Sequence, residues 1–497
     1  MSQPQYGTSS PAPASAYNNF ISPARSRRSH RSARSARSIA QSQGSATIIS
    51  SISNLANTII GAGALAFPSA FATMGIIPGV VSCAFCGITS FFGLYLLSRC
   101  ATIVGRQPGH EMKKASFNEV AKIAFGKGWA TRVFDLAIAI KCFGVSVSYL
   151  IICKTLLPQV FATLANIFRH PLSDDSLLLP QDFWLVASMV VIAPLSFLKT
   201  LDALRFTSQI ALGTVVYLLI VVVSWYIFKG ASPSRGEVVL ARFSSNTLAS
   251  FPVQIFAYTC SQNLFPIYNE LKDKTQQRMN VVTGASIGLA TAVYEALGVI
   301  GYLTFGSKVG SNIIAMYPPT SFPIALGRLG IVLLVGLSYP LQCLPCRICV
   351  YQMTSGIIKP KPEPSYDIPD SDEDSEAEAE EDPLVPKDDD EEEEDVEDLA
   401  HGGAIEMRRW KFIGITMGIL SLGFIIALLV DELEVVLGFV GSTGSTIISF
   451  ILPGFFYFKL FRREAGLTKW FALALAIYGV AVMIFCLAFN ILRLRSS

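Results

Sequence analysis

Long apolar runs alternate with short charged connections over most of the 497 residues. The runs lie at roughly 46–75, 77–100, 131–162, 182–200, 206–229, 247–269, 280–305, 323–353, 410–430, 433–460 and 469–492. Each is long enough, as a helix, to cross ~30 Å of hydrocarbon. A backbone crosses lipid only when its own hydrogen bonds are satisfied. The pattern therefore predicts an all-α membrane protein with eleven transmembrane helices. Two segments stand outside it. Residues 1–45 are rich in Ser, Pro, Ala and Gln, with an Arg-Ser run from Arg25 to Arg37, and 354–409 is dominated by Asp and Glu. Neither composition can bury a core, so both segments are read as disordered. The predicted organisation is a tail (1–45), spans 1–8 (46–353), an acidic loop (354–409) and spans 9–11 (410–492).

Two spans are interrupted. In the middle of span 1 sits Asn57-Thr58-Ile59-Ile60-Gly61-Ala62-Gly63-Ala64. Each glycine in a helix interior costs about 1 kcal/mol relative to Ala. Opened backbone at membrane depth is tolerated only where it lines a protected cavity. Span 6 is interrupted at Tyr258-Thr259-Cys260-Ser261-Gln262-Asn263, between Pro252 and Pro266. These are matching positions in the two halves of a five-plus-five inverted repeat. Paired broken helices mark the midplane site of a transporter. The expected chemistry suits a zwitterion. Free N–H groups where span 1 resumes near Gly63 can hold a carboxylate. Freed carbonyls near Gly61 and along Tyr258–Ser261 can accept from an ammonium. The candidate substrate-binding residues are Asn57, Ile60, Gly61, Ala62, Gly63, Tyr149, Tyr258, Thr259 and Ser261. The competing reading of the glycines is close helix packing, which small residues also permit.

Composition agrees with the pattern: 51% of residues are hydrophobic, 15% are charged, and mean hydropathy is +0.47. The net charge of +2 conceals a sorting, since 363–398 holds 21 of the 37 acidic residues. With the N-terminus placed in the cytosol, the short inside connections carry sixteen Lys and Arg, and the outside connections and C-tail carry seven. That bias predicts a cytosolic N-terminus, a cytosolic acidic loop and a lumenal C-terminus. All four His lie outside the apolar runs, which argues against His-ligated haem or intramembrane zinc. There is no Walker-type phosphate loop. Asp273-Lys274-Thr275-Gln276 lacks the Gly and the soluble domain of a P-type pump. Cys343-x-x-Cys346-x-x-Cys349 is read as small packing residues. No N-x-[ST] acceptor or cleavable signal peptide is seen. No cofactor and no nucleic acid partner are expected.

Four segments carry a family likeness. They are SISNLANTIIGAGALAFPSAFATMGIIPG (51–79), FPVQIFAYTCSQNLFPIYNEL (251–271), GVIGYLTFG (298–306) and VGSTGSTIISFILPGFFYFKL (440–460). They resemble spans 1, 6, 7 and 10 of the amino acid/auxin permease family. Within it the chain is most similar to fungal vacuolar amino acid transporters, and it also resembles sodium-coupled neutral amino acid transporters. The likeness covers about 46–353 and 410–492. It implies eleven helices in the amino acid–polyamine–organocation arrangement, an amino acid held between the broken helices, and coupling to a proton or sodium gradient. Asn57 matches a cation-binding Asn of the sodium-coupled relatives. Ser338 falls where they carry a Thr hydroxyl, and Thr446 lies in the matched GSTGST run. Relatives of the vacuolar type often place a His after the Cys of span 6; here that residue is Ser261.

Ionisable residues inside a membrane are functional candidates. Lys141, deep in span 3, is open to three readings: a proton exchanger, a permanent stand-in for sodium, or a partner of an acid on a neighbouring helix. Burial disfavours its charged form. Glu295, in the middle of span 7, is a candidate proton carrier, a structural partner or a cavity residue. Tyr149 lies two turns beyond Lys141 and can offer its hydroxyl to a carboxylate, or simply pack. The expectation is therefore a secondary active amino acid transporter of a vacuolar membrane, embedded in lipid and driven by protons or sodium. An amino acid sensor, signalling through the tail or through a cytosolic protein docked on the acidic loop, is the rival. No intramembrane cluster of nucleophile, base and metal ligands supports an enzyme.

Overall fold

Start and stop signals in the sequence account for the ends of several helices. In the computed structural model, Thr47 accepts from the Ser50 N–H (3.2 Å) to open α1 (Ile48–Ile59). Gly75, at φ 88°, ends α2 (Gly63–Met74) in a conformation that favours glycine. The structure describes residues 46–104, 115–126, 129–168, 180–198, 207–242, 245–355, 407, 409–463 and 466–496. The basic tail, nearly all of the acidic loop, and the disorder expected of both lie outside these residues.

The remaining helices are α3 (Ile76–Val104), α4 (Phe117–Phe125), α5 (Trp129–Ile167), α6 (Gln181–Ser196), α7 (Thr207–Lys229), α8 (Ser245–Ala257), α9 (Leu264–Glu270), α10 (Gln276–Phe305), α11 (Phe322–Ser355), α12 (Arg409–Leu429), α13 (Leu433–Val440), α14 (Leu452–Leu460) and α15 (Leu467–Ser496). No strand forms among the described residues; Ala46 and Leu271 make one isolated bridge. Among the described residues, eight helices are long and apolar enough to cross a membrane, and the bent pair α1–α2 makes a ninth if counted as one span. The apolar positions face two ways. On α3, Val81, Phe85 and Ile88 follow a helical stripe and are 62%, 44% and 67% exposed. Such a surface requires lipid. α5 is the opposite: 83% of its most apolar window is buried, and it packs along α11.

Two features were not anticipated from sequence. The connection between spans 2 and 3 contains the short helix α4, capped by Ser116. Span 10 is not a continuous α-helix, because 441–445 and 447–451 run as π-helix between α13 and α14. The wider turn is rare and concentrates at functional sites.

Close contacts hold the interior together. Gly63 lies so near α8 that a Cβ there would sit 2.6 Å from the Ala257 Cβ and 2.8 Å from its Cα. At Gly61 an added Cβ would meet nothing within 4 Å. On α5 the buried Lys154 places Nζ 2.7 Å from Asp431 and 3.3 Å from Asp182, and donates to the Ala427 carbonyl (3.3 Å). One ammonium thus joins α5, the start of α6 and the turn after α12.

Two predictions follow from this packing, both checked by thermal unfolding of the purified protein. Gly63→Ala should destabilise by about 1–3 kcal/mol. Gly61→Ala, by contrast, should be neutral or stabilise by up to about 1 kcal/mol. Asp182→Asn and Asp431→Asn should each be mild, because the other carboxylate keeps Lys154 paired. The double variant should lose roughly 1–3 kcal/mol more than the two singles added together, because the buried ammonium is then left without an anion.

Candidate functional site

The two interruptions face each other. α1 stops at Ile59, and Gly61-Ala62 form a tight turn. The Gly61 N–H donates to Ile59 O (2.9 Å), and Ala64 N–H donates to Gly61 O (3.1 Å). α8 stops at Ala257, and a single 3₁₀ turn, Ser261–Asn263, leads into α9. Among the described residues, the carbonyls of Ile60, Tyr258 and Thr259 receive no backbone donor. The N–H groups of Ala62, Gly63, Ser261 and Gln262 find no backbone acceptor. The ends of α1 and α8 bring negative partial charge, and the start of α2 brings positive partial charge. Acceptors and donors are therefore presented side by side, as an ammonium and a carboxylate on one carbon require. The Gly61 carbonyl is taken by the turn itself; the open carbonyl near it is that of Ile60.

Three side chains fasten the breaks to one another. Tyr294 of α10 places its hydroxyl 2.6 Å from Ile59 O and 3.0 Å from Ala257 O, the last carbonyls of α1 and α8. Its ring stacks on Phe67 (4.3 Å between centroids) and meets Tyr258 edge-on (5.2 Å). Asn263 donates to the Thr58 hydroxyl (2.8 Å), which donates to Asn54 O (3.0 Å). The Gln262 amide, buried at the same turn, has no partner for either polar atom.

The predicted side chains fare unequally. The Tyr258 hydroxyl is occupied, 3.2 Å from Cys83 Sγ and donating to Thr291 (2.8 Å). Thr259 bonds back to Ile255 O and receives Ser449 from the π-helical stretch (3.3 Å). Ser261 is buried at the turn. Lys141 is buried against that stretch, since a Cβ on Gly444 would lie 2.8 Å from the Lys141 backbone N, and it has Cys142 and Cys260 nearby. Among the described residues Lys141 has no carboxylate partner, and Glu295, which is half-buried, has no cationic one. Thr446 bonds within its own helix to Gly441 O (2.6 Å). Asn57 and Ser338 are both half-buried. Near them a tight apolar crevice of about 10 Å³ is lined by Gly61, Ala62, Leu65, Ile331 and Val335 among others. Tyr149 is buried beside Gln342 of α11 and is joined to neither break by a hydrogen bond. No group of three or more His, Cys, Asp or Glu that could hold a metal ion occurs among the described residues.

Tyr294, Thr58, Asn263 and Lys154 escaped the sequence reading. For Tyr294 a signal existed. It precedes Gly298 and Gly301 by four and seven residues, so all three share one face of α10. Added Cβ atoms at those glycines would press on Phe71 and Pro68 of α2.

Comparison with known proteins accords with this geometry. A family profile described as "Transmembrane amino acid transporter protein" matches residues 44–492. Vacuolar amino acid transporter 5 of Schizosaccharomyces pombe is 38% identical, over 91% of this chain and 96% of its own. Vacuolar amino acid transporter 6 of Saccharomyces cerevisiae is 35% identical, over 89% and 98%. Among solved structures, MhsT in complex with L-phenylalanine shares the fold, with a TM-score of 0.55 and 11% identity over 90% of this chain and 99% of that one. A match spanning nine-tenths of the chain, and running through both broken helices, makes this protein a member of the transmembrane amino acid transporter family.

Proposed function

We propose that this protein is a secondary active transporter that carries amino acids across a vacuolar membrane, with the substrate held between the two breaks. The observation that carries the reading is the pairing of open acceptors (Ile60, Tyr258 and Thr259 carbonyls) with open donors at the start of α2. The substrate's α-ammonium goes to this acceptor side, where the last carbonyls of α1 and α8 (Ile59 and Ala257) also lie, and its carboxylate goes to the donors. The proposed topology counts α1–α2 and α8–α9 as broken spans 1 and 6 and α6 as span 4. That gives eleven spans, five-plus-five related by inverted repeat, with the N-terminus cytosolic and the C-terminus lumenal. Alternating access then comes from rocking spans 1, 2, 6 and 7 against the others.

Coupling is assigned to protons. Lys141 and Glu295 are intramembrane ionisable groups without an ion-pair partner among the described residues, an arrangement typical of proton carriers. Lys141 also abuts the π-helical stretch whose Ser449 reaches Thr259 at the second break. Sodium coupling through Asn57 and Ser338 is the alternative. The acidic loop offers a docking surface for a basic cytosolic protein and has no part in translocation.

The test is uptake of each of the twenty amino acids into vesicles holding the purified protein, under independent pH and sodium gradients. The expected outcome is uptake that follows the pH gradient, and loss of that dependence in Lys141→Ala or Glu295→Gln. Proton-driven flux that survives both changes removes these residues from the coupling path. Flux that answers to sodium alone moves the coupling to Asn57 and Ser338. Absence of flux for all twenty defeats the reading. Deleting 361–405 should leave vesicle uptake unchanged.

A further inference from the structure

The two carbonyls joined by Tyr294 are the last of α1 and α8, where the helix dipoles leave the most negative charge. They suit a cation with several protons to donate. A tyrosine hydroxyl has one proton and shares it poorly between two acceptors. The ring is nonetheless held in place, stacked on Phe67 and edge-on to Tyr258. The side chain is fully buried. The crevice beside the first break, lined by Gly61, Leu65, Ile331 and Val335 among others, has about 10 Å³, room for no more than one water.

We propose that Tyr294 is a positioning residue that stands in for the substrate's ammonium: its hydroxyl joins the ends of α1 and α8 while the site is empty, and gives up those carbonyls when an α-amino acid binds. The inference rests on the transporter reading and adds a mechanism for the unloaded protein. A carrier that performs net transport must return empty through a closed state. Without a substitute for the ammonium, the Ala257 carbonyl would have no donor among the described residues in that state, and the Ile59 carbonyl only the Gly61 N–H. Tyr294 supplies the substitute. It also ties recognition to the α-amino group, because a ligand lacking that group has nothing to offer the carbonyls in place of the hydroxyl.

Tyr294→Phe keeps the stacked ring and removes the hydroxyl. In vesicles, net uptake requires the empty return, whereas exchange at equal substrate on both sides does not. Loss of one buried hydrogen bond should slow net uptake by about three- to tenfold. Exchange should stay within about twofold, and the apparent affinity for substrate should tighten because nothing has to be displaced. Equal slowing of both modes, or of neither, overturns the proposal. A second measurement leaves the fold intact: 3-fluorotyrosine placed at position 294 and read by ¹⁹F resonance. Its signal should shift on adding the amino acid with the highest flux, and should not shift with the 2-hydroxy acid of the same side chain. No shift, or the same shift with both, counts against the latch even if Tyr294→Phe does not fold. Wild-type vesicles that neither take up nor exchange any amino acid defeat the transporter reading instead, and the fluorine signal, read with each of the twenty amino acids in turn, then decides alone whether Tyr294 answers to an ammonium.

Discussion

A backbone that opens inside lipid must find partners within the protein, and the rest of this structure is arranged around two places where it opens. Neither break could persist alone. At one, the α1 helix has lost its continuation after Ile59; at the other, α8 has lost its own after Ala257. One hydroxyl serves both ends, and Asn263 with Thr58 ties the flanking turns together. Gly63 lets α2 and α8 approach closely enough for these bonds to form. The surrounding helices then do two jobs. α7 and α11 cover the first break with Val215, Leu218, Ile331 and Val335, while stripes such as the one on α3 meet lipid.

What could be read from the chain was the part governed by local chemistry. Gly61 and Gly63 in span 1, and the polar run from Tyr258 to Asn263 in span 6, announce broken helices because their cost within lipid has a single kind of justification. What could not be read was governed by partners distant in sequence. Nothing local says where the Tyr258 hydroxyl goes: its partners Cys83 and Thr291 lie 175 and 33 residues away. Tyr294 looked like one more aromatic in an apolar helix. Its role depends on two carbonyls contributed from other spans, and only the glycine stripe beside it hints at how close they come. The π-helical stretch escaped for a related reason. GSTGST reads as helix-compatible small residues, and the wider turn is set by how Gly441 and Gly444 seat against Pro252 and Lys141.

Lys141 and the π-helical stretch form the rear wall of the second break. Ser449 reaches Thr259 from there, and Gly444 leaves no room for a side chain beside α5. A charged residue placed behind the break, not in it, leaves the front free for a ligand that brings charges of its own. This division fits the two open turns themselves, which contain no carboxylate, ammonium or guanidinium side chain.

The tie at Lys154 differs in kind from the contacts at the breaks. Its stem is buried, and its head meets two carboxylates that are themselves mostly exposed, carried by segments far apart in the chain. An ammonium is a compact charge with rotatable donors, indifferent to the angle of approach. Were α6 to shift relative to the α12–α13 connection, Lys154 would keep one carboxylate as it let go of the other. Such a junction has the character of a bearing more than of a rivet.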